Sequence, residues 1–179
     1  MKENPPLQSP AELPLSEFGG SWFVAHTKPR QEKALAWDIF RSGGNYFLPM
    51  YEVIKRSRTR RWTSVLPLFT GYLFFCGSEQ GRLRALETNR IANLIPVPDQ
   101  AGFVAELTRI EQLLSGGMAV NPYPGLTKGS ACRIRTGPLT GLEGRVERCK
   151  GQARFVVNVT ILGQGAAVEI DADWLEPIE

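Results

Sequence analysis

The sequence has little of what metal chemistry and catalysis need. It carries one histidine, His26, and three widely separated cysteines, Cys76, Cys132 and Cys149, with no Cys-x-x-Cys pair. Structural zinc sites take about four such ligands at close spacings, so no metal is expected. An odd set of scattered thiols suits reduced packing residues. No apolar run approaches the roughly 18 residues that cross a bilayer as a helix, which excludes a helical span. The start of the chain lacks the basic-then-apolar pattern of an export signal, because prolines interrupt it. A cytoplasmic protein is expected. A glycine-rich phosphate loop and a nucleophile elbow are missing as well. Glu169, Asp171 and Asp173 sit close together, but at the end of a predicted strand, where acids are commonly solvated. Neither catalysis nor a cofactor is expected.

What is present is a change of texture along 179 residues. Residues 1–20 hold Pro5, Pro6, Pro10 and Pro14 and few large apolar side chains, the composition of a disordered leader. Trp22 to His26 is aromatic and β-branched and predicts a buried strand. Thr27-Lys28-Pro29 is predicted to open a helix, with threonine as cap and proline in the first turn. Leu35, Ala36, Ile39 and Phe40 recur on one face of that helix, and Gly43-Gly44-Asn45 ends it. Tyr46 to Val53 reads as a second strand, bulged or at an edge because of Pro49. A strong strand follows at Gly71 to Cys76, then a short helix over Gln80 to Glu87 and a strand over Ile91 to Pro96. Phe103, Val104, Leu107, Ile110 and Leu114 mark a third helix, stopped by Gly116-Gly117.

After residue 116 the helical periodicity ends. The stretch 116–127 is rich in glycine and proline and reads as a linker. Five short strands follow, at Ser130 to Thr136, Gly144 to Cys149, Arg154 to Leu162, Ala166 to Ile170 and Asp173 to Pro177. Closing such strands into a small barrel would remove their exposed edges.

The net charge of +3 is too small by itself to imply a polyanionic partner. Its distribution is the informative feature. Lys55, Arg56, Arg58, Arg60 and Arg61 place five cations within seven residues, at the predicted tip of an exposed hairpin. They repel one another, and a nucleic-acid backbone would relieve that repulsion. Trp62 beside them can stack on an unpaired base. Lys28, Arg30 and Lys33 at the start of the first helix extend the same basic character.

Two motifs carry a resemblance. Lys128 to Lys150 (KGSACRIRTGPLTGLEGRVERCK) is similar to the KOW motif, with glycines at both bends. Trp22-Phe23-Val24, a basic helix, Phe47-Leu48-Pro49 and Pro67 to Phe74 (PLFTGYLF) resemble the NGN domain of the NusG family. NGN, linker and KOW in this order cover the chain from Trp22 to its end. The family usually has proline between the phenylalanine and the glycine, so Thr70 is a departure and a looser turn is expected there.

The resemblance implies an α+β chain. An NGN α/β sandwich with an antiparallel sheet and helices spans 21–115, and an SH3-like KOW β-barrel spans 128–179. It implies a monomeric, non-enzymatic transcription elongation and antitermination factor. The NGN domain would dock on the clamp helices of the largest RNA polymerase subunit through Phe47, Phe69 and Tyr72, with Trp22, Phe23 and Phe74 as core or border. Tyr72 and Phe74 point one way and Leu73 and Phe75 the other, and which pair meets the helices is open. The basic hairpin would meet upstream or non-template DNA. The KOW domain would contact a ribosomal small-subunit protein or Rho, with Ile161 and Leu162 as candidates. The β-branched strand there weighs against a helical alternative like that of RfaH. The proline-rich leader and Thr70 nevertheless point to a specialised, RfaH-like paralogue. The rival reading is a ribosome-associated KOW protein that binds RNA, whose basic residues would spread across the barrel.

Overall fold

The computed structural model describes residues 3–149 and 152–178, leaving aside the side chain of Cys149. The chain divides into two compact units, one ending at Gln100 and the other beginning at Ala101.

The first unit contains β1 (Gln8–Ser9), β2 (Ser21–Thr27), α1 (Glu32–Arg41), β3 (Asn45–Phe47), β4 (Met50–Arg56), β5 (Arg61–Pro67), β6 (Tyr72–Gly77), α2 (Glu79–Glu87) and β7 (Ile91–Pro96). Five strands form an antiparallel sheet in the order β1-β3-β6-β2-β7, while β4 and β5 form a separate ribbon. Successive strand residues alternate between the two faces. Ala25, Tyr46, Leu73 and Phe75 lie under Leu35, Ala36 and Ile39 of α1 and Ala85 of α2. The opposite face carries Trp22, Val24, Phe47, Phe74 and Cys76, all buried. Helix α2 starts at a Ser78 cap, whose hydroxyl accepts from the Gly81 amide at 3.2 Å.

The second unit takes most of α3 (Gln100–Ser115), then β8 (Asn121–Tyr123), β9 (Ser130–Ile134), β10 (Glu143–Cys149), β11 (Gln152–Val159), β12 (Gln164–Ile170) and β13 (Leu175–Pro177). Its six strands are ordered β13-β9-β10-β11-β12-β8. Helix α3 buries Phe103, Leu107, Ile110 and Leu113. The Glu106 carboxylate accepts from the Thr160 amide at 3.0 Å and its hydroxyl at 2.5 Å. At Gly144 an added Cβ would stand 2.5 Å from the Phe155 ring and 2.8 Å from the Val156 carbonyl oxygen. Gly144→Ala is therefore expected to destabilise this unit by about 1–3 kcal/mol, read as a lower urea midpoint with unchanged slope.

Several sequence expectations are corrected. The leader is ordered: Gln8 and Ser9 pair with β3, and Leu15 and Phe18 are buried. Phe18 stacks on Trp22 at 5.6 Å, and the Cys76 thiol meets the Gly19 carbonyl at 3.4 Å. Two well-placed apolar side chains, each worth about 1.5–3 kcal/mol on burial, anchor a segment whose average composition suggested none. Met1 and Lys2 lie outside the described residues. Helix α1 begins only at Glu32, because Thr27 still belongs to β2 and Arg30 takes a left-handed conformation at φ 61°. The stretch from Tyr46 to Val53 breaks at Leu48-Pro49 and contributes to two different sheets. The linker supplies β8, which pairs with β12. Among the described residues no ladder joins β13 to β8, so the sheet is open at those ends. Ile161 and Leu162 lie in a 3-10 turn, not in the strand.

Candidate nucleic-acid interface and aromatic face

The β4–β5 ribbon projects the basic run. A two-residue turn at Arg58-Thr59 is closed by the Ser57 amide donating to the Arg60 carbonyl at 2.8 Å. The Ser57 hydroxyl accepts from the Arg60 amide at 3.1 Å. Directly opposed residues share a face, so Arg56 and Arg61 face each other, an unfavourable like-charge pair. Lys55 opposes Trp62. All five cations are exposed, and among the described residues none enters an ion pair. Ile54 and Trp62 are 52% and 39% exposed. A ribbon tip with unneutralised charge and exposed apolar side chains has the chemistry of a phosphate-and-base surface.

A second basic feature lies on α1. A groove of about 780 Å³ is lined by Arg30, Lys33, Trp37, Asp38, Arg41 and Arg90, together with Glu3 and Asn4. Four cations face two carboxylates there. Arg90 Nε donates to Asp38 Oδ2 at 2.6 Å, and a further Arg90 nitrogen donates to the Gln31 side chain at 2.6 Å. The Arg41 guanidinium stacks over the Trp37 ring at 5.6 Å. Lys33 Nζ donates to the Val65 carbonyl at 2.5 Å, joining the groove to the base of the ribbon. Burial pushes the Lys33 ammonium below its ordinary pKa. Lys28 turns to the Asn89 amide oxygen at 2.7 Å, and Arg30 is exposed in its left-handed turn. Trp37 and Arg41 do not stand out in the sequence as binding candidates. Lys33, Trp37 and Arg41 recur at four-residue spacing, which places them on one helical face and was a readable signal. Arg90 joins them only through the fold.

The three aromatic docking candidates do not form one surface. Phe47 and Phe69 are 0% and 1% exposed, packed on Phe74 with ring centroids 6.4 and 5.9 Å away. They are core residues in this conformation, and a partner cannot touch them as the chain stands. Phe74 is likewise core. Tyr72 is half-buried and stacks on the exposed His26 at 5.1 Å. The turn before it is well held despite Thr70. Gly71 has φ 86°, donates its amide to the buried Glu32 carboxylate at 2.6 Å and accepts from the Thr27 amide at 2.8 Å. A carboxylate from α1 thus braces the turn that follows Thr70.

In the second unit, Ile161 and Leu162 are partly exposed, on the turn that Glu106 holds. Cys76 and Cys132 are buried free thiols. Burial pushes the Cys76 thiol up to about 11 and raises that of Cys132, so both stay protonated and poorly nucleophilic at neutral pH. A cleft of about 350 Å³ between α1 and α2 includes Cys76, Ser78 and Arg84 in its lining. The Ser78 hydroxyl is committed to the helix cap, and the Ser42 hydroxyl, also in the lining, donates to the Ile39 carbonyl. Among the described residues no three His, Cys, Asp or Glu side chains gather as metal ligands, and no helix is long and apolar enough to cross a membrane.

With this geometry in place, the family comparison is specific. The model of a family described as transcription termination factor nusG matches residues 20–114, just over half of the chain. Comparison with curated proteins gave no match.

Proposed function

The chain belongs to the NusG family, and from that premise we propose that it is a non-enzymatic elongation and antitermination factor acting on RNA polymerase in the cytoplasm. In this reading residues 21–115 form the NGN domain, which docks on the clamp helices of the largest subunit. Binding the closed clamp more tightly than the open one shifts that equilibrium by the difference in binding energy, without chemistry. The basic ribbon and the α1 groove lie along upstream or non-template DNA. Residues 128–179 act as the KOW domain and recruit a ribosomal small-subunit protein or Rho through Ile161 and Leu162. Joining two sites in one chain raises the effective concentration of the second partner.

The observation that carries this reading is the exposed cation cluster at the ribbon tip, unpaired among the described residues and within the stretch that matches the family. It also favours this reading over a ribosomal RNA-binding protein. In the second unit, by contrast, Arg133 pairs with Glu143 and Glu176, and Arg154 faces Glu147. The ordered leader, and the carboxylate brace where the family has proline, support a specialised, RfaH-like paralogue.

The docking surface is tested at Tyr72, the aromatic candidate that reaches solvent. Tyr72→Ala is expected to weaken retention on immobilised core polymerase by roughly tenfold or more, the effect of removing an aromatic anchor. Its circular dichroism and melting midpoint should stay near those of the parent. Retention equal to that of the parent would remove Tyr72 from the interface.

A further inference from the structure

The start of the described chain lies in the α1 groove. We propose that Glu3 and Asn4 are an internal competitor for that groove, which a nucleic-acid strand must displace. The proposal rests on reading the groove as part of the nucleic-acid surface, and it adds a regulatory contact to it.

Two donors suited to a phosphate are already occupied. The Lys33 ammonium donates to Asn4 Oδ1 at 2.7 Å. The Trp37 indole N–H donates to the Glu3 carbonyl at 3.2 Å. Glu3 and Asn4 line the groove together with Arg30, Arg41 and Arg90. Residues 3–4 thus present two oxygen acceptors to donors that a nucleotide backbone would otherwise engage.

The segment is anchored just beyond this point. The Tyr46 hydroxyl donates to the Pro6 carbonyl and the Leu48 amide to the Leu7 carbonyl, both at 2.8 Å. Gln8 and Ser9 then pair with β3. Pro5 and Pro6 favour extended backbone on their N-terminal side, which directs the preceding residues along α1. The contacts of residues 3–4 are solvent-exposed, and exposed hydrogen bonds are cheap to exchange. Residues 3–4 can therefore leave while the anchor from Pro6 onward stays in place.

Charge counting separates occlusion from bulk electrostatics. Residues 1–4 contain Lys2 and Glu3, so removing them leaves the net charge unchanged. Long-range attraction predicts no change in affinity, whereas relief of occlusion predicts a gain.

The test is fluorescence anisotropy with a labelled single-stranded oligonucleotide at fixed salt. The parent chain is compared with a chain lacking residues 1–4, with Asn4→Ala, and with the truncation placed in an Arg30→Glu, Arg41→Glu background. Truncation is expected to tighten binding roughly three- to tenfold, the scale of two exposed hydrogen bonds exchanged. Asn4→Ala should tighten it less, and the gain should vanish in the charge-reversed background. If the truncated chain does not fold, Asn4→Ala carries the comparison. Equal or weaker binding by the altered chains, or a gain that survives charge reversal, overturns the occlusion. Failure of the underlying reading looks different: no chain binds, or reversing groove and ribbon charges leaves the parent's affinity untouched. That outcome overturns both.

Discussion

Reversing Arg58, Arg60 and Arg61 to glutamate is expected to weaken single-stranded DNA binding about a hundredfold near 0.1 M salt. Each lost phosphate contact removes roughly 0.7–0.9 of a counterion release, worth about five- to eightfold there. The three side chains sit at the ribbon tip, exposed and, among the described residues, without ion-pair partners, so little folded-state interaction should be lost with them. The Arg56–Arg61 juxtaposition should relax when Arg61 becomes acidic, and stability should hold or rise slightly. The decisive readout is the slope of log affinity against log salt, which should fall by about 2–3. An unchanged slope would mean that the tip does not touch the polyanion.

Phe74→Ala should show the opposite division between stability and binding surface. Its ring is fully buried between Phe47 and Phe69, so truncation leaves a cavity in the middle of the sheet. The expected cost is about 3–5 kcal/mol, a drop of roughly 10–20 °C in the melting midpoint. Differential scanning calorimetry measures it directly. Phe69→Ala should behave the same way, whereas Tyr72→Ala, at the exposed end of the same face, should lose little. A loss below about 1 kcal/mol for Phe69→Ala would return Phe69 to the docking surface.

The contrast between Phe69 and Tyr72 shows where reading the sequence stops. PLFTGYLF announces a turn and a strand, and alternation puts Tyr72 and Phe74 on one face. Whether that face is covered depends on what packs against it. Leu15 and Phe18 come from a segment that composition assigns to disorder, yet both are buried, and Phe18 stacks on Trp22 while its carbonyl meets the Cys76 thiol. Average hydrophobicity cannot register two apolar residues that find a ready site on a sheet. The brace at Thr70 was equally hidden, because Glu32 is distant in sequence from Gly71.

The ribbon and the groove divide in the same way. Clustering of Lys55, Arg56, Arg58, Arg60 and Arg61 is a local property, and glycine-free strand sequence on either side makes a hairpin the natural means of exposing it. Arg90 reaches Asp38 only because β7 lies beside β2 and brings its end to α1. Asn4 reaches Lys33 only because β1 adds to the sheet edge.

Sequence alone determined the three helices and the main strands between them, the change of texture after residue 116, the basic hairpin tip and the likeness to NusG proteins. The likeness rests on short motifs; the others rest on periodicity, turn chemistry and charge between near neighbours, which are written in the chain order. Tertiary structure decided which aromatic rings are buried, which cations share a groove, and that the leader is part of the fold. Those outcomes depend on contacts between residues far apart in sequence, where burial and charge pairing are settled by packing.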